Sequence, residues 1–210
     1  MTTKQKSHQA IAYLRTSDPV MRDIINTVGP FTLKPNRDRF GMLVKSIISQ
    51  QISTGAARSI RLRLVELVGT EGLTPANLAR YSIDELRVAG VSPQKAKYLL
   101  DLAAKVADAE INLQQIGRYS DEKVIDQLTK VKGIGKWTAQ MFLMFSLGRL
   151  DVFPHDDLGV RIAIRNRYGL DELPNLEASH RIAANWRPFA SVASWYCWRS
   201  LEHEKFKSKA

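Results

Sequence analysis

Apolar residues in this chain recur three and four positions apart, and runs of strict alternation are scarce. That spacing puts one face of a helix on a core, whereas a half-buried strand needs period two. The punctuation agrees. Asp18-Pro19 joins a cap to a first-turn proline and predicts a helix to about Val28, stopped by Gly29-Pro30. The pattern predicts another over Asp38–Gln51, with Phe40, Leu43, Val44, Ile47 and Ile48 on one face, and a third from Ser53 to Val68, ended by Gly69. Ser82-Ile83-Asp84-Glu85 is a capping box for a short helix ended by Gly90. Ser92-Pro93 starts a helix to about Ala109, Ser120-Asp121-Glu122 opens another, and more are expected from Asp157, Glu177 and Phe189. No long linker or low-complexity segment intervenes. The expected fold class is all-α.

One break between helices differs from the rest. In Val131-Lys132-Gly133-Ile134-Gly135-Lys136-Trp137 two glycines stand two apart, a spacing that permits positive φ and close approach of backbone to a partner. The amides opening the next helix lack partners and carry the positive end of its dipole, which makes an anion site. Downstream, Val152-Phe153-Pro154-His155-Asp156-Asp157-Leu158-Gly159 sets an acidic pair at the start of an apolar helix. A phosphate anchor followed by a positioned carboxylate points to an enzyme acting on nucleic acid. The stretches Leu86–Leu100 and Leu128–Leu143 are loosely alike, each being helix, glycine-containing turn and helix.

Composition narrows the classes. The net charge is +10 and the sequence pI about 9.8, with the basic residues spread along the chain, which favours a polyanionic partner on a folded basic face. No apolar run approaches the roughly 18 to 20 residues of a membrane span, and no signal-peptide core follows the polar start Met1-Thr2-Thr3-Lys4, so no membrane association is expected. The single cysteine, Cys197, excludes an intrachain disulfide and a four-thiolate iron–sulfur cluster. Its apolar setting, Trp195-Tyr196-Cys197-Trp198, predicts a buried, inert thiol. The four histidines show no zinc-ligand spacing.

With Leu128 before the glycines and Trp137-Thr138-Ala139 after them, the turn resembles the helix-hairpin-helix of a DNA glycosylase superfamily, which carries this hairpin and a downstream loop ending in Asp. Ile47-Ile48-Ser49-Gln50-Gln51-Ile52-Ser53 resembles that family's turn bearing a duplex-filling residue, and Leu86 to Ala96 its second DNA-facing loop. Asp151 to Val160 resembles the catalytic segment, and Trp186-Arg187-Pro188-Phe189 through Trp198 the C-terminal helix of the alkylpurine branch. The resemblance runs in order over residues 38 to 202. It implies two helical lobes with a DNA-binding cleft between them: a central lobe of residues 38–150 holding the hairpin 128–143, and a second lobe of 1–37 plus 151–210. Too few residues precede Ile47 for the N-terminal β-rich lobe of the bacterial type, so the compact form is expected.

The resemblance also implies roles. Asp157 is the matching catalytic carboxylate, with Asp156 a cap or solvated neighbour. Trp137 stands where bifunctional relatives carry a Schiff-base lysine, and Lys136 next door is turned about 100° away, so monofunctional hydrolysis without lyase activity is expected. Trp137, Trp198 and Met141 match positions lining the base pocket, Met141 replacing a tyrosine. Ala190 stands where relatives often have arginine. Gly133, Gly135 and Lys136 would grip phosphates. Gln51, with Gln50 beside it, would fill the gap left by a flipped base, with Val91 or Ser92 entering from the other side. The carbonyls of Thr129, Val131 and Ile134 would help hold a monovalent Na+ or K+; no other cofactor is required.

The expected function is release of alkylated purines, such as 3-methyladenine and 7-methylguanine, from double-stranded DNA by a monomer. The setting would be the cytoplasm, nucleoid-associated, in a bacterium, or the nucleus in a eukaryote. Two rivals stand beside it. One is a non-catalytic hairpin DNA-binding protein, for which the retained Asp157 has no use. The other is a glycosylase for deaminated, oxidised or mismatched bases, against which the two tryptophans and the C-terminal segment lean.

Overall fold

The structure is a computed structural model that describes residues 3–207; Met1, Thr2 and residues 208–210 of the expected second lobe lie outside it. In chain order the helices are α1 (Thr3–Ser17), α2 (Pro19–Val28), α3 (Arg39–Ser49), α4 (Thr54–Val68), α5 (Pro75–Leu78), α6 (Ile83–Val88) and α7 (Pro93–Ala107). They continue as α8 (Asp121–Leu128), α9 (Lys136–Phe145), α10 (Leu158–Tyr168), α11 (Leu176–Ala183) and α12 (Ala190–Lys207). No strand occurs among the described residues, so the fold is all-α.

The caps read in the sequence operate as expected. Asp18, Ser53, Ser92 and Ser120 each accept from an amide in the first turn of the helix they precede. Ser82 and Glu85 form the reciprocal box. Each such cap satisfies a donor the helix leaves open and contributes about 1 kcal/mol. Helix α1 has no counterpart among the expected helices. Its pattern is thin, since only Ala10 and Leu14 are fully buried hydrophobics, and its polar run reads as coil.

The chain divides into two compact units. One comprises the residues up to Pro35 and those from Gly148 onward. Helix α12 packs there on α1, α2 and α10. The core centres on Trp186, Tyr196, Ile164, Met21 and Leu14, all fully buried, with Ile24 and Ile25 nearly so beside them. A carboxylate lies inside it. Asp18 is 2% exposed and accepts from the Met21 amide at 3.0 Å, from the Tyr168 hydroxyl at 2.5 Å and from Trp186 Nε1 at 3.1 Å. A buried charge is tolerable only with such a full set of donors.

The other unit is Asn36–Leu147. Helix α7 touches α3, α5 and α6, while α9 packs on α3 and α8. The apolar face read for α3 is its buried face: Phe40, Leu43, Val44, Ile47 and Ile48. The two glycine-turn segments are both helix, positive-φ glycine, helix: α6–α7 through Gly90 at φ 86° and α8–α9 through Gly133 at φ 81°.

Candidate functional site

The hairpin begins where α8 stops at Leu128 and ends where α9 starts at Lys136. Its two glycines do different things. Gly133 has φ 81°, and a Cβ there would stand 2.1 Å from Cδ2 of Tyr98, so both the conformation and the close tyrosine ring require glycine. Gly135 does not need positive φ; it sits at φ −94°, ψ 176°, open to any residue, and a Cβ there would meet nothing within 4 Å. Its use is to leave the amino end of α9 bare. No side chain caps that end, and Gly133, Gly135, Lys132 and Lys136 are all exposed around it. Open amides, a helix dipole and two ammonium groups together favour an anion.

Helix α7 holds this hairpin. Asp101 Oδ2 accepts from the Lys132 amide at 2.9 Å, and Asp101 pairs with Lys105 at 3.1 Å. Burial alone would raise the Asp101 carboxyl, but the bonds from the Lys132 amide and Lys105 outweigh it and its pKa is lowered. Among the proposed cation ligands, the Val131 carbonyl accepts from the Ile134 amide at 3.0 Å and keeps one lone pair. Backbone carbonyl oxygens are hard donors, the kind a monovalent cation takes. No cluster of three His, Cys, Asp or Glu suited to a metal occurs among the described residues.

The glutamine turn departs from expectation. Helix α3 ends at Ser49, two residues before Gln51, and Gln51 adopts φ 58°, left-handed for a residue with a Cβ. Lys95 ends it: its Nζ donates to the carbonyls of Ile48 at 2.7 Å and Gln50 at 2.6 Å, taking acceptors at the helix terminus. Gln50 Nε2 donates to the Gly133 carbonyl at 2.8 Å. In this structure Gln50 is thus a tie to the hairpin, with its side chain partly exposed. Gln51 is exposed. Val91 is 3% exposed, part of the core because it closes the α6–α7 turn, so it is not available as a second gap-filler. Ser92 is exposed, with its hydroxyl capping α7.

In the other unit, Asp157 is the N-cap of α10. Its Oδ1 accepts from the Val160 amide at 2.8 Å and from Trp198 Nε1 at 2.8 Å. Of the two readings of Asp156, cap or solvated neighbour, the structure has the second: Asp156 is exposed and lies 3.1 Å from His155 Nε2. Asp157 is half-buried, so the carboxylate is neither in the core nor in bulk water. Trp198, expected as a pocket wall, is here a donor to this acid. Gly159 makes that contact feasible: a Cβ there would lie 3.0 Å from Trp198 Cδ1 and 3.1 Å from Asp157 Oδ1. Sequence reasoning missed Gly159 and Lys95. A small residue two after the acid was a signal for the first; nothing marked Lys95 among the other basic residues.

Trp137 is 45% exposed at the second position of α9, and Met141, one turn later on the same face, is 7% exposed. Lys136 is exposed beside Trp137. Ala190 is 0% exposed and its amide meets Asp151 Oδ1 at 3.3 Å, so an arginine has no room here and the alanine has a packing reason. Cys197 is fully buried, and burial pushes its thiol pKa up, as suits an inert residue.

A carboxylate held at a helix start and an uncapped helix amino end behind a glycine turn supply an electrostatic partner for a cation and a seat for a phosphate. The YfjP protein of Bacillus subtilis is 33% identical over 78% of this chain, which spans 59% of that protein's length. A Bacillus halodurans DNA-3-methyladenine glycosidase has a similar structure, with TM-score 0.84 and 33% identity over 95% of this chain and 91% of that one. A Schizosaccharomyces pombe 3-methyladenine DNA glycosylase, solved in complex with abasic DNA, gives TM-score 0.79 and 30% identity over 91% of this chain and 95% of that one. The HhH-GPD family of base excision DNA repair proteins matches residues 44–188. By its hairpin, its following acid and these matches, the chain belongs to the HhH-GPD superfamily of base excision DNA repair proteins.

Proposed function

We propose that this protein is a monofunctional DNA glycosylase that releases alkylated purines from duplex DNA and leaves an abasic site. The observation that carries the proposal is Asp157, a half-buried carboxylate fixed through Oδ1 by a backbone amide and an indole N–H. Cleavage of an N-glycosidic bond builds positive charge on the deoxyribose. A carboxylate that is already oriented stabilises that charge without reorganising, worth roughly 3 to 4 kcal/mol of barrier. The same group orients the attacking water and takes its proton. A 3- or 7-methylated purine nucleoside is cationic and leaves readily, so no strong acid is needed on the base. Indole faces suit such a ring, at about 0.5 to 2 kcal/mol each; Trp137, Met141 and Trp198 are the proposed pocket residues.

The target base must leave the stack to reach the acid. Exposed Gln51 is the proposed gap-filler, while the Gly133 and Gly135 amides with Lys136 grip phosphate, an interaction that positions without reading sequence. Thr129, Val131 and Ile134 carbonyls would hold Na+ or K+ beside that grip, where the ion would add charge attraction for phosphate. Trp137 in the lysine position supports water, not an amine, as nucleophile. The relatives' glycosylase names and the abasic-DNA complex support this reading. We further propose that it acts as a monomer where genomic DNA lies, the nucleoid of a bacterium or the nucleus of a eukaryote.

The test is release of bases from a panel of methylated, deaminated and oxidised duplexes. Alkylpurine release with an unbroken strand is expected. Binding without release from any lesion would favour the non-catalytic alternative, and release confined to deaminated or oxidised bases would favour the other.

A further inference from the structure

Three side chains on one face of α7 reach the parts of this unit that the proposed function assigns to DNA. They stand at positions 95, 98 and 101, the three-residue steps that align on a helix. Lys95 Nζ meets the Ile48 and Gln50 carbonyls at 2.7 and 2.6 Å. The Tyr98 ring lies against Gly133, and Asp101, paired with Lys105, accepts from the Lys132 amide at 2.9 Å. Gln50 Nε2 closes the circuit onto the Gly133 carbonyl at 2.8 Å. The Gln51 turn and the hairpin are thereby tied to one rigid helix and to each other.

We propose that Lys95 is a positioning residue for base flipping: its ammonium holds the left-handed Gln51 turn at a fixed offset from the phosphate-gripping hairpin. The proposal rests on the glycosylase reading for its consequence, though not for its geometry. Gln51 at φ 58° is a conformation that a residue with a Cβ keeps only when its surroundings dictate it. Without Lys95 the two carbonyls lose their donor, the turn relaxes, and a gap-filler that wanders no longer holds the flipped state. Phosphate contacts at the hairpin stay, because the Tyr98 ring still packs on Gly133 and Asp101 still holds the Lys132 amide. A mere structural cap would lower stability and leave turnover per folded molecule alone.

Lys95→Met keeps the aliphatic stem and removes the ammonium. Three readouts on the full chain follow. Amide hydrogen exchange at Gln51, Ile52 and Ser53 in the free protein should rise by about tenfold or more, the equivalent of one lost charge-assisted hydrogen bond. Single-turnover release of a methylated purine paired in duplex DNA should fall by a similar factor, while affinity for undamaged DNA is unchanged. The deficit should nearly disappear when the lesion lies opposite an abasic site, where no pair needs to be separated. Lys95→Arg, which keeps donors, should recover most of the activity. Unchanged exchange, or an equal deficit on both substrates, overturns the proposal. Should Lys95→Met fail to fold, Lys95→Gln, with a shorter donor, carries the same comparison. If the native protein releases no alkylated base, the glycosylase reading falls, and exchange at Gln51 still decides whether Lys95 braces the turn.

Discussion

Asp157 serves a helix and a reaction with one carboxylate, and the two uses can be separated by substitution. Asparagine caps a helix as well as aspartate does and still accepts from the Val160 amide and Trp198 Nε1. Asp157→Asn should therefore keep its thermal midpoint while base release in single-turnover assays drops about a hundred- to thousandfold; retained release would move the chemistry to another group. Asp157→Ala should lose about 1 kcal/mol of stability as well. Gly159 is subtler. With a Cβ there, 3.0 Å from the Trp198 ring, the indole must shift and its hydrogen bond to Asp157 lengthen. Gly159→Ala should cost about tenfold in kcat, the equivalent of one hydrogen bond to a charged group, with DNA affinity intact. An unaltered kcat would mean that the indole does not orient the acid.

At the scale of elements, the hairpin offers a pair of glycine substitutions with opposite signatures. Gly133→Ala meets both a positive φ and the Tyr98 ring, so it should destabilise the unit by about 1 to 3 kcal/mol in denaturant titrations. Gly135→Ala meets neither, and should leave stability unchanged while weakening binding to all duplex sequences alike, because its methyl stands between the α9 amides and a phosphate. A sequence-dependent loss would contradict the phosphate grip. The bounds of most helices could be read from caps: Asp18-Pro19, Ser53 and Ser92-Pro93 fix starts through bonds made within a few residues. The end of α3 could not, since Lys95, far along the chain, terminates it. Helix α1 escaped notice for a related reason: it is stabilised by packing on α2 and α12 rather than by a pattern of its own.

For the whole molecule, net charge +10 predicts binding that weakens steeply as salt rises, with log K falling linearly in log salt. A shallow slope would argue against a phosphate-led interface. Borohydride added during turnover should trap no covalent enzyme–DNA adduct; a trapped band would contradict water as the nucleophile. The unit built on α1, α2, α10 and α12 also holds protonated acids in its core. Burial raises the pKa of Tyr168 and of Cys197, and pushes Tyr196 up to about 12. These groups ionise more easily once unfolded, so the folded state binds more protons at alkaline pH and stability falls as pH rises. The thermal midpoint should be level at neutral pH and decline from pH about 9 upward, through the tyrosine range; a flat profile would mean that these groups are hydrated in the native state.

The helical class, most helix starts, the glycine turn with its open amino end, and the acid at the head of α10 could all be read along the chain. All of these arise from bonds and periodicities spanning a few residues, and local physics is written locally. Tertiary structure alone decided which carboxylate oxygen is held by Trp198, that Gln50 is tied down while Gln51 is left-handed and exposed, that Val91 belongs to the core, and that Lys95 braces the turn. Those assignments depend on side chains distant in sequence meeting in space, and no residue pattern along the chain encodes which lysine finds which carbonyl.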